Sequence, residues 1–391
     1  MRLSYRLLIY ALFVAMFFAP WLLWISDPNL VRRLVYPIKG KLAAWSTTCS
    51  PNTPSWLEEL TSQMAEAHDS PANQVAVSLA SGKIFSCSNG WESTPYISHR
   101  VTDETPMRLA SLSKIVSFVG MTGMDKESRG HWLDSFLIDS LLVSALEDER
   151  VGRIRIRNLL NHSAGFDRHR TQDPITQFNA SSWCPHDLRN LGKIRLDYTP
   201  ATRFGYHNLD YCLAEAAYDQ YFSRTLWDHL VNDLEVRKYG LEWLSDRDTP
   251  VTQNLMHEGL TGYGEVFLDA IDWEAARAPM GLTGNARGLA RFIVRNKGAL
   301  SIAKSMRDDS ISCNDEVVGS CFDGFLNRLK VRDQVLWQQR GYLYGMSAVF
   351  ILDENDNFII WLGSGEGRPW SAGVNKVRKT FVENVAGTAP N

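Results

Sequence analysis

The chain has 391 residues, 45% of them hydrophobic and 22% charged, with 27 glycines and 15 prolines, a balance that excludes wholesale disorder and collagen-like or low-complexity classes. Lysine and arginine number 41 against 44 acidic residues, a formal charge of −3. No basic stripe stands out, so no nucleic-acid partner is expected.

Taken in chain order, the first feature is Leu7–Ile25, LLIYALFVAMFFAPWLLWI, which carries no charge. A signal-peptide core runs about 7–15 residues, whereas a membrane span needs about 17–25. No A-x-A-like cleavage site follows, since the next residues are Ser26, Asp27 and Pro28. Residues 1–25 therefore read as an uncleaved membrane signal anchor, with the membrane as a partner, in preference to the alternative of a cleaved signal peptide, and 26–50 read as a tether. Arg2 and Arg6 precede the run, and Arg32, Arg33, Lys39 and Lys41 follow it, so charge counting alone does not orient it. The cysteines bear on the compartment. An even number, 6, behind an export-like segment fits the periplasm or cell exterior. Cys313 and Cys321 flank a short polar loop and are expected to pair, with Cys49–Cys87 a second expected pair. Cys212 lies in the apolar helical run Leu209, Cys212, Leu213, Ala216 and reads as a buried small hydrophobe.

Residues 51–391 read as one domain. A helix starts near Thr53 and Pro54, with Trp56, Leu57, Leu60 and Met64 on one face. The runs Gln74–Ala80 and Lys83–Cys87, separated by Ser81-Gly82, read as strands. From residue 112 to about 300 the pattern is mostly helical. Strands return at Tyr342–Leu352 and Phe358–Leu362, which flank the polar turn 353–357 and predict a hairpin. A last helix carries Val374, Val377, Phe381 and Val385 at helical spacing. Strands at both ends and helices between predict an α/β (α+β) fold. Its antiparallel sheet is formed by both chain ends and flanked by helices, with a mostly helical insertion at about 120–300.

The chemistry is narrowed by exclusion. No phosphate loop, dinucleotide fingerprint, H-E-x-x-H, C-x-x-C or G-x-S-x-G elbow occurs, so neither metal nor cofactor is expected. What remains is Ser111-Leu-Ser-Lys114. Ser-x-x-Lys sets a hydroxyl and an amine one turn apart on one helix face. A helix beginning at Ser111 offers free N–H groups to a developing oxyanion. A lysine base needs apolar surroundings to weaken its hold on the proton, and Ile115, Val116, Phe118 and Val119 supply them. The motif alone also fits a helix start with a solvated lysine.

The flanking residues decide more. Thr105-Pro-Met-Arg-Leu-Ala-Ser-Leu-Ser-Lys114 resembles the nucleophile segment of the class C β-lactamase-like serine hydrolases, the family of β-lactamases, penicillin-binding DD-peptidases and serine esterases. Ile154-Arg-Ile-Arg-Asn-Leu-Leu-Asn-His-Ser-Ala-Gly165 resembles its "LL-x-H-[ST]-[SA]-G" loop, Phe204-Gly-Tyr-His-Asn208 its Tyr-x-Asn element, and Met280–Phe292 its later helix start. The likeness covers roughly residues 70–365. It implies the β-lactamase/transpeptidase-like fold and a Ser111 acyl-enzyme. Lys114 is then the base partner, and Tyr206 the proton shuttle to the leaving group. Asn208 holds the substrate carbonyl side, although it also suits the N-cap of the following helix. His162 reads as a structural loop residue rather than a base, and His207 should point away from Ser111.

The family's last motif, Lys-Thr-Gly or His-[ST]-Gly, falls on Gln339-Arg340-Gly341, and Tyr342 would give the second oxyanion N–H. Gln339, Arg340, Gly341 and Tyr342 are thus the remaining substrate-binding candidates. Without the family's cation at Gln339, neither β-lactamase activity nor carboxylate recognition is implied. Strand alternation turns Arg340 away if Gln339 faces the site. The function expected is a membrane-anchored serine hydrolase cleaving an amide or ester, from cell-envelope material or a small peptide or ester substrate. The rival is a non-catalytic binding protein of the same fold.

Overall fold

The computed structural model describes Phe13, Met16, Phe18, Trp21, Leu22, Ile25 and Ser26, and residues 28–386 except 69, 144, 174, 176–181, 244–270, 344 and 365–370. Most of the uncharged N-terminal run therefore lies outside the described residues. No helix among the described residues is long and apolar enough to cross a membrane.

The stretch read as a tether is instead largely helix α1, Pro28–Trp45, followed by the short strand β1, Thr48–Cys49. Its Tyr36, Gly40, Ala43 and Ala44 recur at helical spacing and are buried. They bring α1 onto α2, Ser55–Ala67. Tyr36 donates its hydroxyl to the Ala65 carbonyl at 2.6 Å, and a Cβ on Gly40 would meet that same oxygen at 2.7 Å.

Strands β2, Ala72–Ser78, and β3, Ile84–Gly90, follow as the alternation predicts. After β4, Met107–Arg108, a 3₁₀ turn over Ala110–Leu112 leads into α3, Ser113–Thr122. The helical layer continues with α4, Lys126–Asp134, α5, Leu137–Leu141, α6, Ile156–Leu160, α7, Leu209–Phe222, and α8, Leu226–Asn232. Strand β5, Glu242–Trp243, α9, Arg277–Met280, β6, Leu282–Gly284, α10, Ala286–Arg295, and α11, Gly298–Ser305, complete it. The chain then returns through β7, Cys321–Asp323, β8, Leu326–Val331, β9, Gln334–Leu343, β10, Met346–Leu352, β11, Phe358–Ser364, and α12, Ser371–Asn384.

The main sheet has eight strands in the order β1-β3-β2-β11-β10-β9-β8-β7, every pair antiparallel. The two chain ends meet at β2 and β11, as expected. β4, β6 and β5 form a separate three-stranded sheet. Both faces of the main sheet are covered, which is why its central strands are buried throughout. Val75, Val77, Val349, Ile351, Ile359 and Trp361 pack against Leu57, Leu60 and Met64 of α2 and Val374, Val377 and Phe381 of α12. Ala76, Phe350, Leu352, Ile360 and Leu362 face the helical layer. The expected single strand Tyr342–Leu352 is in fact two, β9 and β10, reversed at Gly345, whose φ of 79° suits glycine.

All six cysteines pair, as Cys49–Cys87, Cys184–Cys212 and Cys313–Cys321. Cys212 is buried as its apolar surroundings predict, yet it is half of a cross-link rather than a lone small hydrophobe. Three disulfides fit an extracytoplasmic compartment.

Candidate active site

Ser111 sits on the 3₁₀ turn between β4 and α3, held from both sides. Leu109 donates its N–H to Leu282 of β6 at 2.9 Å, and Ala110 takes a positive φ of 47°, which turns the chain sharply ahead of Ser111. Three of the fully buried polar residues on α3 fasten the helix to α9 and β6. Ser113 Oγ accepts the Leu282 N–H at 3.1 Å, Ser117 donates to the Ala278 carbonyl at 2.9 Å, and Lys114 donates to the Pro279 carbonyl at 2.9 Å. Glu215 of α7 secures α9 in turn, accepting from Arg277 and from the Ala278 N–H. Burial raises the Glu215 carboxyl to about 7, against the pull of the Arg277 guanidinium.

The predicted catalytic residues converge. Tyr206 donates its hydroxyl to Ser111 Oγ at 2.8 Å, and Lys114 Nζ lies 3.4 Å from the same oxygen. Lys114 also donates to Asn208 Oδ1 at 2.8 Å, and its Nζ stands 4.7 Å from the Tyr206 ring centroid. Asn208 does occupy the N-cap position of α7, but its side chain makes no capping bond. Its other end donates to Asp173 at 2.8 Å. His207 is turned away, its ring nitrogens engaged with the Thr171 carbonyl and the Leu209 N–H.

On β9 the alternation separates the last four candidates. Gln339 is paired with Phe350, faces the helical layer, and donates its amide to the Ser111 carbonyl at 3.1 Å. Gly341 follows on the same face. A Cβ there would meet the Leu109 carbonyl at 2.9 Å and Ala110 Cβ at 3.2 Å, so only glycine lets β9 close on the nucleophile turn. Arg340 is paired with Val349 and lies on the opposite face, beside α12. Burial, with the Arg378 charge adding to it, lowers its guanidinium to about 10. Its assignment as a substrate-binding side chain is therefore corrected. The Tyr342 side chain shares that outer face, leaving only its backbone for the site. Arg340→Ala is expected to change kcat/KM for a neutral and an anionic ester alike, within about threefold; a selective loss on the anionic ester would return the side chain to the site.

Three participants escaped the sequence reading. The Pro279 carbonyl has no sequence signal because it is backbone. Asp173 lies in a loop without periodicity. The third is a buried pair: His162 Nδ1 and Asp210 Oδ2 stand 2.7 Å apart with neither residue exposed. Burial pushes the His162 imidazole well down and the Asp210 carboxyl well up. The spacing Tyr206, Asn208, Asp210 was the available signal.

A serine hydroxyl between a lysine amine and a tyrosine hydroxyl, on a turn opening into a helix, is equipment for acyl transfer. Comparison with known proteins agrees. The Beta-lactamase family model matches residues 58–373. The chain belongs to the beta-lactamase family. Among its relatives is a Dichelobacter nodosus chain named "Putative fimbrial assembly protein FimD, serogroup D", 29% identical over 346 residues, covering 87% of this chain and 86% of that one. A serogroup H1 FimD chain from the same organism is 28% identical over 337 residues, covering 85% and 84%. Solved beta-lactamase-like folds align as well. D-amino acid amidase from Ochrobactrum anthropi SV3 superposes with a TM-score of 0.62 at 15% identity, over 84% of this chain and 98% of that one. The octameric penicillin-binding protein homologue from Pyrococcus abyssi gives 0.59 at 13% identity, over 84% and 76%. At such identities these likenesses bear on the fold.

Proposed function

We propose that this beta-lactamase family member is a serine hydrolase that cleaves an amide or ester through a Ser111 acyl-enzyme. The observation that carries the reading is Ser111 Oγ, 2.8 Å from the Tyr206 hydroxyl and 3.4 Å from Lys114 Nζ. Ser111 Oγ attacks the carbonyl carbon and gives its proton to the Lys114–Tyr206 pair. The oxyanion is met by the backbone N–H groups of Ser111 and Tyr342. Tyr206 returns the proton to the departing nitrogen or oxygen, and Asn208 holds the carbonyl side of the substrate. Water then attacks the acyl-enzyme with Tyr206 assisting, and Ser111 is restored.

The substrate is a neutral or amine-bearing amide or ester of the cell envelope or a small ester. Gln339 in place of a cation, Arg340 on the outer face and Asp173 beside Asn208 support this choice. Leu7–Ile25 anchors the chain as a single-pass segment in the cytoplasmic membrane, with residues 51–391 as the catalytic domain facing the periplasm or exterior; the uncharged run and the three disulfides support this.

One observation favours a second reading. The Gln339 amide is committed to the Ser111 carbonyl, as in a protein that kept the pocket and lost turnover. Intact-protein mass after exposure to a fluorophosphonate, and separately to penicillin, tests both. Addition of the phosphonyl group at Ser111, with little or no penicilloyl adduct, is expected. No adduct from either probe would favour the non-catalytic binder.

A further inference from the structure

Behind the Tyr206 ring lies a buried pair that the acyl-transfer scheme leaves unused. His162 closes the loop after α6, and Asp210 sits in the first turn of α7. Both are buried, and neither His162 Nε2 nor Asp210 Oδ1 has a hydrogen-bond partner. A buried polar pair with two unsatisfied atoms is unfavourable for folding, and an apolar pair of that size would avoid the penalty. His162 also holds a left-handed φ of 58°, which glycine adopts without strain and which is uncommon for a residue with a side chain.

What the pair touches explains its presence. The His162 ring centroid is 4.5 Å from that of Tyr206, and Phe322 packs on both rings. The His162 carbonyl accepts the N–H of Gly205 at 2.7 Å, directly before Tyr206. Asp210 fixes the rotation of the imidazole from four residues beyond Tyr206. Within five consecutive residues, Tyr206 reaches Ser111, Asn208 reaches Lys114, and Asp210 reaches His162. The Tyr206 phenol is thus held by backbone and ring from the His162 side, and the His162 ring is held by Asp210.

We propose that His162 and Asp210 are positioning residues for Tyr206: the pair clamps the phenol so that its hydroxyl stays on Ser111 Oγ and can hand a proton to the leaving group. This rests on the reading of Tyr206 as proton donor above. Such a role makes a distinct demand. A p-nitrophenolate departs without a proton, whereas an ethoxide must be protonated as it leaves. Loss of the clamp therefore strikes ethyl acetate hydrolysis and spares p-nitrophenyl acetate.

The experiment measures kcat and KM for both esters with wild type, His162→Asn, Asp210→Asn and Tyr206→Phe. Asparagine tolerates the left-handed backbone at position 162. His162→Asn and Asp210→Asn are expected to lower kcat/KM for ethyl acetate, which reports acylation rather than hydrolysis of the acetyl-enzyme common to both esters, about 10–100-fold. The kcat/KM for p-nitrophenyl acetate should stay within about threefold, because Lys114 remains in place to take the Ser111 proton and p-nitrophenolate leaves without one. Tyr206→Phe should slow both esters, because Tyr206 also shares the Ser111 proton and assists the deacylating water, with the ethyl acetate loss the larger by at least about 10-fold. Equal losses on both esters would overturn the proposal, since a packing role lowers both. Should His162→Asn not fold, Asp210→Asn carries the same comparison. If Tyr206→Phe itself lacks leaving-group selectivity, the reading of Tyr206 falls and the clamp with it; if Tyr206→Phe is selective and the two asparagine variants are not, the clamp alone falls.

Discussion

Ser111→Ala is expected to abolish fluorophosphonate labelling and to lower turnover by on the order of 10⁴-fold or more, while the thermal midpoint moves by no more than a few degrees. The fold should survive because Ser111 Oγ is a receiving point rather than a strut. Without it Lys114 keeps the Asn208 and Pro279 oxygens, and the half-buried Tyr206 hydroxyl can turn to water. Lys114→Ala should lose most of the rate too, about 10³-fold, but at a cost in stability. It empties a fully buried site and strips Asn208 Oδ1 and the buried Pro279 carbonyl of their donor, worth about 1–3 kcal/mol for each group left unsatisfied. The two losses should not add, because the proposed scheme has base and nucleophile act in one step. Purified enzymes assayed on p-nitrophenyl acetate and melted by circular dichroism decide this. Unchanged hydrolysis in Ser111→Ala would remove the catalytic assignment, and a double variant far slower than either single one would break the coupling.

How far this site was legible depends on the kind of signal each part leaves. Ser111 and Lys114 were visible because a fixed spacing on one helix face is a sequence property. Their setting was visible because strand alternation at both chain ends leaves few ways to close a sheet, and β2 does pair with β11. Alternation also separates Gln339 from Arg340 on β9. What was hidden has no periodicity of its own. The Pro279 carbonyl belongs to the backbone, and any residue type could have offered it. Asp173 reaches Asn208 from a loop, where register cannot be counted. Cys212 looked like a core hydrophobe because a buried half-cystine and a buried thiol sit at the same helical positions, and its partner Cys184 lies in an irregular stretch. The α1 segment looked like a tether because its small residues, Gly40, Ala43 and Ala44, make a close helix contact without a conspicuous apolar stripe. The loop His162 could be placed by resemblance, but its tie to Asp210 needed three dimensions.

Gly341→Val is expected to cost up to about 100-fold in acylation, with Gly341→Ala intermediate. Gly341 lies where β9 crosses the nucleophile turn, and the atoms around it cannot yield independently. The Leu109 carbonyl stands 2.9 Å from where a Cβ would sit, Ala348 Cβ 3.1 Å and Ala110 Cβ 3.2 Å. Leu109 is fixed by its N–H bond to Leu282, and Ala348 by the β9–β10–β11 ladder. A side chain must therefore push β9 and the 108–111 turn apart. The expected separation of some tenths of an ångström is small for a fold held by an eight-stranded sheet, so the thermal midpoint should fall only modestly. It is large for chemistry. The Ser111 and Tyr342 N–H groups sit on the two sides of that seam, and a displacement near 1 Å in a reacting geometry is worth about 10²-fold. Gln339, whose amide spans the seam to the Ser111 carbonyl, should lose that bond at the same time. The rate of Ser111 phosphonylation reads this directly, because in the proposed scheme the phosphonyl oxygen uses both N–H groups and the departing fluoride takes no proton. A Gly341→Val enzyme that labels at the wild-type rate would show that β9 supplies no oxyanion contact, and would move the second donor elsewhere.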